Sequence, residues 1–211
     1  MKNFTARNAL ARMLVWSLDA QSRLALIVVI LNVVKMEVEK EKLGLIHVYT
    51  GEGKGKTSAG MGLLVRALGR GLNIKVIQLF KRDTGEQFFF ENSGFKYLQF
   101  KPLHPFFKTY NSDELEDLKK QFLEFWKEAI KDIEEYDVVL IDEVGPGIKW
   151  EIFSEEIILE LMESKPKNTE FILTGRNIPE VIFDKADYVS EVKKIKHTYD
   201  KGVFARKGIE F

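Results

Sequence analysis

"HVYTGEGKGKTSAG", His47 to Gly60, decides how the rest of the chain is read. The β-like run "LIHVYT" (45–50) passes into a turn holding Gly51, Gly53 and Gly55. "TSAGMGLLVRALGRG" then continues as a helix, with Leu63, Leu64, Ala67 and Leu68 on one face and Gly71 as its stop. A strand that feeds a glycine-rich turn into a helix N-terminus is built to hold phosphate. Backbone N–H groups converge on the anion, the helix dipole favours its charge, and no Cβ blocks the close approach. The spacing is unusual, however. A phosphate loop has glycine, four residues, then Gly-Lys-Ser/Thr. Counting back from Gly55-Lys56-Thr57, Thr50 holds the first position and the glycine comes one residue late, at Gly51.

Downstream, strand-like and helix-like runs alternate. "IKVIQLF" (74–80) and "FKYLQF" (95–100) read as strands. In "YNSDELEDLKKQFLEFWKEAIKDIEEYD", Leu115, Leu118, Phe122, Phe125, Trp126, Ala129, Ile130 and Ile133 recur at three- and four-residue steps, which predicts a long helix. Ser112 is its expected N-cap, and Trp126 is read as core. "DVVLIDE" (137–143) is a continuous apolar run ending in two carboxylates, as in a buried central parallel strand. "SEEIILELMESKP" is helix, "TEFILTG" (169–175) strand, "IPEVIFDKAD" helix and "YVSEVKKI" a last strand. The expected fold is α/β: a mostly parallel sheet with helices on both faces, a P-loop NTPase-like three-layer fold over residues 36–211.

Composition removes several function classes. Lysine plus arginine equals aspartate plus glutamate, 32 each, so no global field attracts nucleic acid. There is no cysteine, hence no disulfide scaffold and no thiolate chemistry, and His47, His104 and His197 have no ligand spacing. Residues 1–35 stand apart, with early basic residues followed by the apolar run Leu24–Val34. That run is too short to span a bilayer and is interrupted by Asn32. It fits a packed amphipathic helix, a flexible lead-in, or translation begun upstream of a true start at Met36; no membrane partner is expected.

The chemistry-bearing residues fall at strand ends, where open parallel sheets place their ligands. Lys56 is positioned to contact phosphate and the Thr57 hydroxyl to ligate Mg²⁺. Asp142 and Glu143 resemble a Walker B element that carries the metal. Arg66, Lys81 and Arg176 could reach a phosphate or ribose, but each alone reads as a solvated charge. These residues define a P-loop nucleotide enzyme. A γ-phosphate-transferring ATPase or kinase fits them equally, with Asp83 or Glu86 as conceivable positioning groups.

A family resemblance goes further. "VYTGEGKGKTSAGMGLLVRALGRGLNIKVIQLFK" resembles the opening of the P-loop ATP:cob(I)alamin adenosyltransferases of the CobA type. "VVLIDEV", "FILTGRNIPEVIFDKADYVSEV" and "KHTYDKGVFARKGIEF" resemble that family's later blocks, in order, over residues 44–211. The resemblance implies transfer of the 5′-deoxyadenosyl group of ATP to the Co(I) of a reduced corrinoid, with release of triphosphate. It also implies a nucleotide lying in reversed orientation, consistent with the short loop. Carried over by position, Gly51, Gly53, Lys54, Gly55, Lys56, Thr57 and Ser58 hold the nucleotide, and Thr57 and Glu143, with Asp142 beside it, hold Mg²⁺. Lys56, Thr57 and Glu143 are the expected catalytic set; Arg66 and Arg176 match arginines near the nucleotide, and His197 belongs to the Lys-His pair of the last block.

Where family members carry a Gly-Phe-Thr-Trp-like stretch, this chain has "KPLHPFFKTYN". Phe106 or Phe107 would take the aromatic role toward the corrinoid, and the tryptophan is missing. "FKRDTGEQ" is likewise shorter than its counterpart. The expected partners are ATP, cob(I)alamin or a related corrinoid, and a reductase or flavoprotein electron donor. A cytoplasmic homodimer is expected, with residues 1–35 able to lie over a neighbouring subunit's nucleotide site.

Overall fold

Six strands form one sheet in the order β3-β2-β4-β5-β1-β6. They are β1 Ile46–Thr50, β2 Ile74–Leu79, β3 Lys96–Phe100, β4 Val138–Asp142, β5 Glu170–Thr174 and β6 Tyr188–Glu191. All five pairings are parallel. The computed structural model describes residues 39–103 and 107–210. Residues 1–35, with their three readings, lie outside the described part, as does Phe106. Among the described residues no helix is long and apolar enough to cross a membrane.

The apolar strands are two-sided, so both faces need cover. Helix α1, Lys56–Leu68, buries Gly60, Met61, Leu64 and Ala67. A Cβ added at Gly60 would meet Leu140, Ile172 and Thr174 of β4 and β5, which places α1 against that face. On the opposite face Val139, Ile141, Phe171 and Leu173 join the core formed with two other helices. These are α3, Ser112–Ile130, through Leu118, Phe122 and Trp126, and α5, Glu155–Ser164, through Ile158, Leu161 and Met162. Trp126 is core, as expected, stacked on Phe122 with ring centroids 5.6 Å apart.

The N-cap of α3 is Asn111, and Ser112 is the first helical residue. The Asn111 side chain accepts from the Glu114 N–H while the Glu114 carboxylate accepts from the Asn111 N–H, a reciprocal box that serine one residue later cannot close. Two short helices carry no periodic signal in the sequence. They are α2, Gly85–Asn92, capped by Thr84, and α4, Val144–Lys149, entered through Glu143 at φ 67°. A last short helix, α6, spans Glu180–Phe183.

This order brings three strand ends together. β5 lies between β1, which leads into the glycine loop, and β4, which ends in the carboxylate pair; β2 flanks β4 on the other side. The loop 51–55, Thr174, Asp142 and Gln78 therefore share the carboxyl edge of the sheet.

Candidate active site

Two of the loop glycines are required for different reasons. Gly55 caps α1 at φ +117° in open space, so the backbone angle alone demands glycine there. Gly53 has an ordinary φ, yet a Cβ on it would come within 2.7 Å of the Val192 and Lys193 carbonyl oxygens. The chain after β6 runs against the loop at this point. Val192 donates to the Thr50 carbonyl at 2.8 Å and accepts from the Gly53 N–H at 2.6 Å, which extends the β1–β6 pairing into the turn.

Lys56 is buried and curls back over the loop, donating to the Gly53 carbonyl at 2.7 Å. Burial lowers its proton affinity first, and the Arg176 charge adds to this, against the opposing pull of Glu143 and Glu52. Arg176 pairs with Glu52 at 3.2 Å, at the rim of the loop. Lys54 pairs with Glu210 at 2.7 Å, so the C-terminal segment touches the loop too. Ser58 is exposed on the first turn of α1.

Asp142 is fully buried at the end of β4. One of its oxygens accepts from the Thr57 hydroxyl at 2.9 Å and from the Thr174 hydroxyl. The other accepts from Gln78 Nε2 at 3.0 Å and from Lys81 Nζ at 2.9 Å. Burial alone would raise its pKa; the Lys81 charge and the hydrogen bonds from Thr174, Lys81 and Gln78 outweigh it and hold the carboxyl below its usual value. Gln78 is fixed in turn, its Oε1 accepting from Tyr97 Oη and Gln99 Nε2, each at 2.9 Å.

Lys81 is the residue whose part was least visible in the sequence. It is no solvated charge. Its ammonium lies 2.8 Å from Thr57 Oγ1, 2.9 Å from Asp142 Oδ2 and 3.0 Å from Glu143 Oε1. Burial works against its charge, and the two carboxylates more than reverse that, raising its pKa well above the ordinary lysine value. Thr57 donates its proton to Asp142 and turns a lone pair to the cation. Three oxygens from α1 and the end of β4 thus already converge on one positive charge. A divalent metal with oxygen ligands suits this donor set. Among the described residues no group of three or more His, Cys, Asp or Glu side chains could hold a metal. A metal at Thr57, Asp142 and Glu143 would need further oxygens from a bound nucleotide.

Other expected site residues lie apart. Arg66 is exposed in the last turn of α1, about 15 Å along the helix from Lys56 at the usual rise per residue. His197 caps a 3-10 turn at Thr198–Lys201, its Nδ1 accepting from the Tyr199 N–H at 3.2 Å. Phe107 is 76% exposed. Asp83 sits at φ 55° beside α2, and Glu86 reaches Gln78 Nε2 at 3.4 Å. The sequence reading missed Gln78 and Thr174. A glutamine inside the otherwise apolar run "IKVIQLF" was the available signal for the first, since a buried amide needs partners.

A sequence model described as "ATP:corrinoid adenosyltransferase BtuR/CobO/CobP" matches residues 42–211. A corrinoid adenosyltransferase of Sinorhizobium sp is 35% identical over 160 residues, which is 74% of each chain. One from Escherichia coli (strain K12) is 31% identical over 159 residues, 74% of this chain and 79% of its own. One from Pseudomonas aeruginosa is 29% identical over a similar span.

Proposed function

Because the chain belongs to the ATP:corrinoid adenosyltransferase family, we propose that this adenosyltransferase moves the 5′-deoxyadenosyl group of ATP to the cobalt of a reduced corrinoid. The electron pair of Co(I) attacks the ribose C5′ and the C5′–O bond breaks. Triphosphate departs with that bond's electrons, and cobalt becomes formally Co(III). The observation that carries this reading is the family match over residues 42–211, and the gathering of Thr57, Asp142 and Glu143 oxygens around one cation beside Lys56 supports a nucleotide site within it.

No side chain at the loop needs to move a proton, because the nucleophile is a metal and the leaving group an anion. The chain's work is positioning and charge neutralisation. Lys56 and the loop N–H groups hold the triphosphate, and Arg176, paired with the exposed Glu52, is within the same charge field. Thr57, Asp142 and Glu143 would hold Mg²⁺, which supplies charge compensation to the triphosphate. The group transferred lies at the other end of the nucleotide, where Phe106 or Phe107 would meet the corrinoid. An electron-donating reductase or flavoprotein keeps the cobalt reduced, the protein acts as a homodimer, and His197 acts on the nucleotide from outside the loop.

Single-turnover mixing of the protein with ATP and chemically reduced cobalamin tests this. The absorption spectrum should change to that of a Co–C bonded corrinoid in stoichiometric yield. A spectrum that shows corrinoid bound but unaltered would make the protein a nucleotide-gated carrier and overturn the proposal.

A further inference from the structure

Asp142 and Glu143 put two carboxylates side by side, and one of them is wholly buried. An unpaired buried carboxylate is costly, so the Asp142 charge calls for a cation beside its hydrogen-bond donors. Here it is Lys81, and it is held from an unusual stretch of chain. Phe80, directly before it, has φ 58°, and Asp83, two residues on, has φ 55°. Neither is glycine, and such left-handed residues persist only where surrounding contacts enforce them. The Phe80 N–H donates to the Phe100 carbonyl at 2.8 Å and its ring packs edge-on to Phe100; the Asp83 N–H donates to Gln87 Oε1 at 3.1 Å. Residues 81 and 82 are thus presented from fixed points on either side, and the free element is the four-carbon lysine stem.

The three oxygens that hold the ammonium are the three that the proposed function assigns to the metal. We infer that Lys81 is a resident counter-ion that exchanges with the divalent metal: ammonium and metal occupy the Thr57–Asp142–Glu143 oxygens alternately. Lys81 offsets one of the two carboxylate charges until a metal–nucleotide enters. Lys81 would then leave these oxygens to the metal, and its charge would become available to the triphosphate.

This rests on the metal assignment above, and the test separates the two. Mn²⁺ binding to the wild type, Lys81→Met and Arg176→Met is read by the free-ion electron paramagnetic resonance signal without nucleotide, and with ATP by the Mn²⁺ retained with the protein on filtration, against an ATP-only control. Lys81→Met should bind Mn²⁺ alone at least about tenfold more tightly than the wild type, because the competing cation is gone. Arg176→Met removes a nearby charge that does not fill the oxygens and should change affinity by no more than about threefold at this screening. Equal tightening in both variants, or none in Lys81→Met, would overturn the exchange. In case Lys81→Met fails to fold, acetylation of the wild type followed by mass spectrometry reads the same event. Saturating Mn²⁺ alone should raise the labelling rate of Lys81 relative to Lys42, and an unchanged rate would contradict the exchange. If wild type binds no Mn²⁺ even with ATP, the metal assignment itself fails; if it binds with ATP while Lys81 neither competes nor becomes reactive, only the exchange fails.

Discussion

Two buried carboxylates at opposite edges of the same sheet are held in different ways. At the amino edge Glu170, first residue of β5, accepts from the Gly44 and Leu45 N–H groups at 2.7 and 2.9 Å and lies 2.6 Å from His47 Nε2. At the carboxyl edge Asp142 is held by side chains only: two hydroxyls, an amide and an ammonium. Backbone donors are part of the fold and cannot leave without unfolding something. A lysine on a flexible stem can leave. Both carboxyls sit below their ordinary pKa against the opposing effect of burial, so the shift alone does not tell a latch from a ligand site. The identity of the partners does.

The contrast gives opposite expectations for the two edges. Lys56→Ala at the carboxyl edge should cost about 10²–10³-fold in adenosyl transfer, the scale of losing a preorganised charge donor, with little change in thermal stability. Steady-state kinetics beside a melting curve would check both halves, and full activity at saturating ATP would sink the loop assignment. Glu170→Ala should do the reverse. It leaves two N–H groups and His47 without their acceptor and should cost about 3 kcal/mol of stability, while per-molecule activity stays near wild type. Denaturant unfolding measures this, and an intact midpoint would show that the latch contributes nothing.

Acid sharpens the same point. Because the folded pKa of Glu170 is depressed, its stabilisation is complete above the ordinary glutamate pKa and is lost as pH falls through the lower folded value. Wild-type stability should therefore decline with acid below about pH 4.3, and Glu170→Gln should show a shallower decline in the same unfolding series. The smallest effect is expected from Arg66→Ala. Within one chain this residue is remote from the loop and exposed, so kcat/KM should change by about twofold or less if a single subunit forms the site. A tenfold loss would contradict this and place Arg66 at a nucleotide.

Much of the fold was legible because the strands are apolar and the long helices are periodic. β4 and β5 are buried at every position, and α3 repeats its stripe over five turns. The parts that escaped have no such period. In α4, "VGPGIK" holds two glycines and a proline, and tertiary contact decides it: a Cβ on Gly145 would collide with the Arg176 carbonyl. In α2 three consecutive phenylalanines mask the period, although the Thr84 cap was readable. The loop, Thr57 and the carboxylate pair could be found because their spacing is local. Lys81 and Thr174 are 24 and 117 residues from Thr57, and only the strand order that places β5 between β1 and β4 brings Thr174 to Asp142.

On the proposed function, Lys56 and Thr57 hold the group that departs. Phosphorus-31 NMR of the products formed from ATP and cob(I)alamin measures this directly. One equivalent of intact triphosphate for each Co–C bond formed is the predicted result. ADP and inorganic phosphate as the main products would contradict it and return the protein to the phosphate-transferring P-loop enzymes.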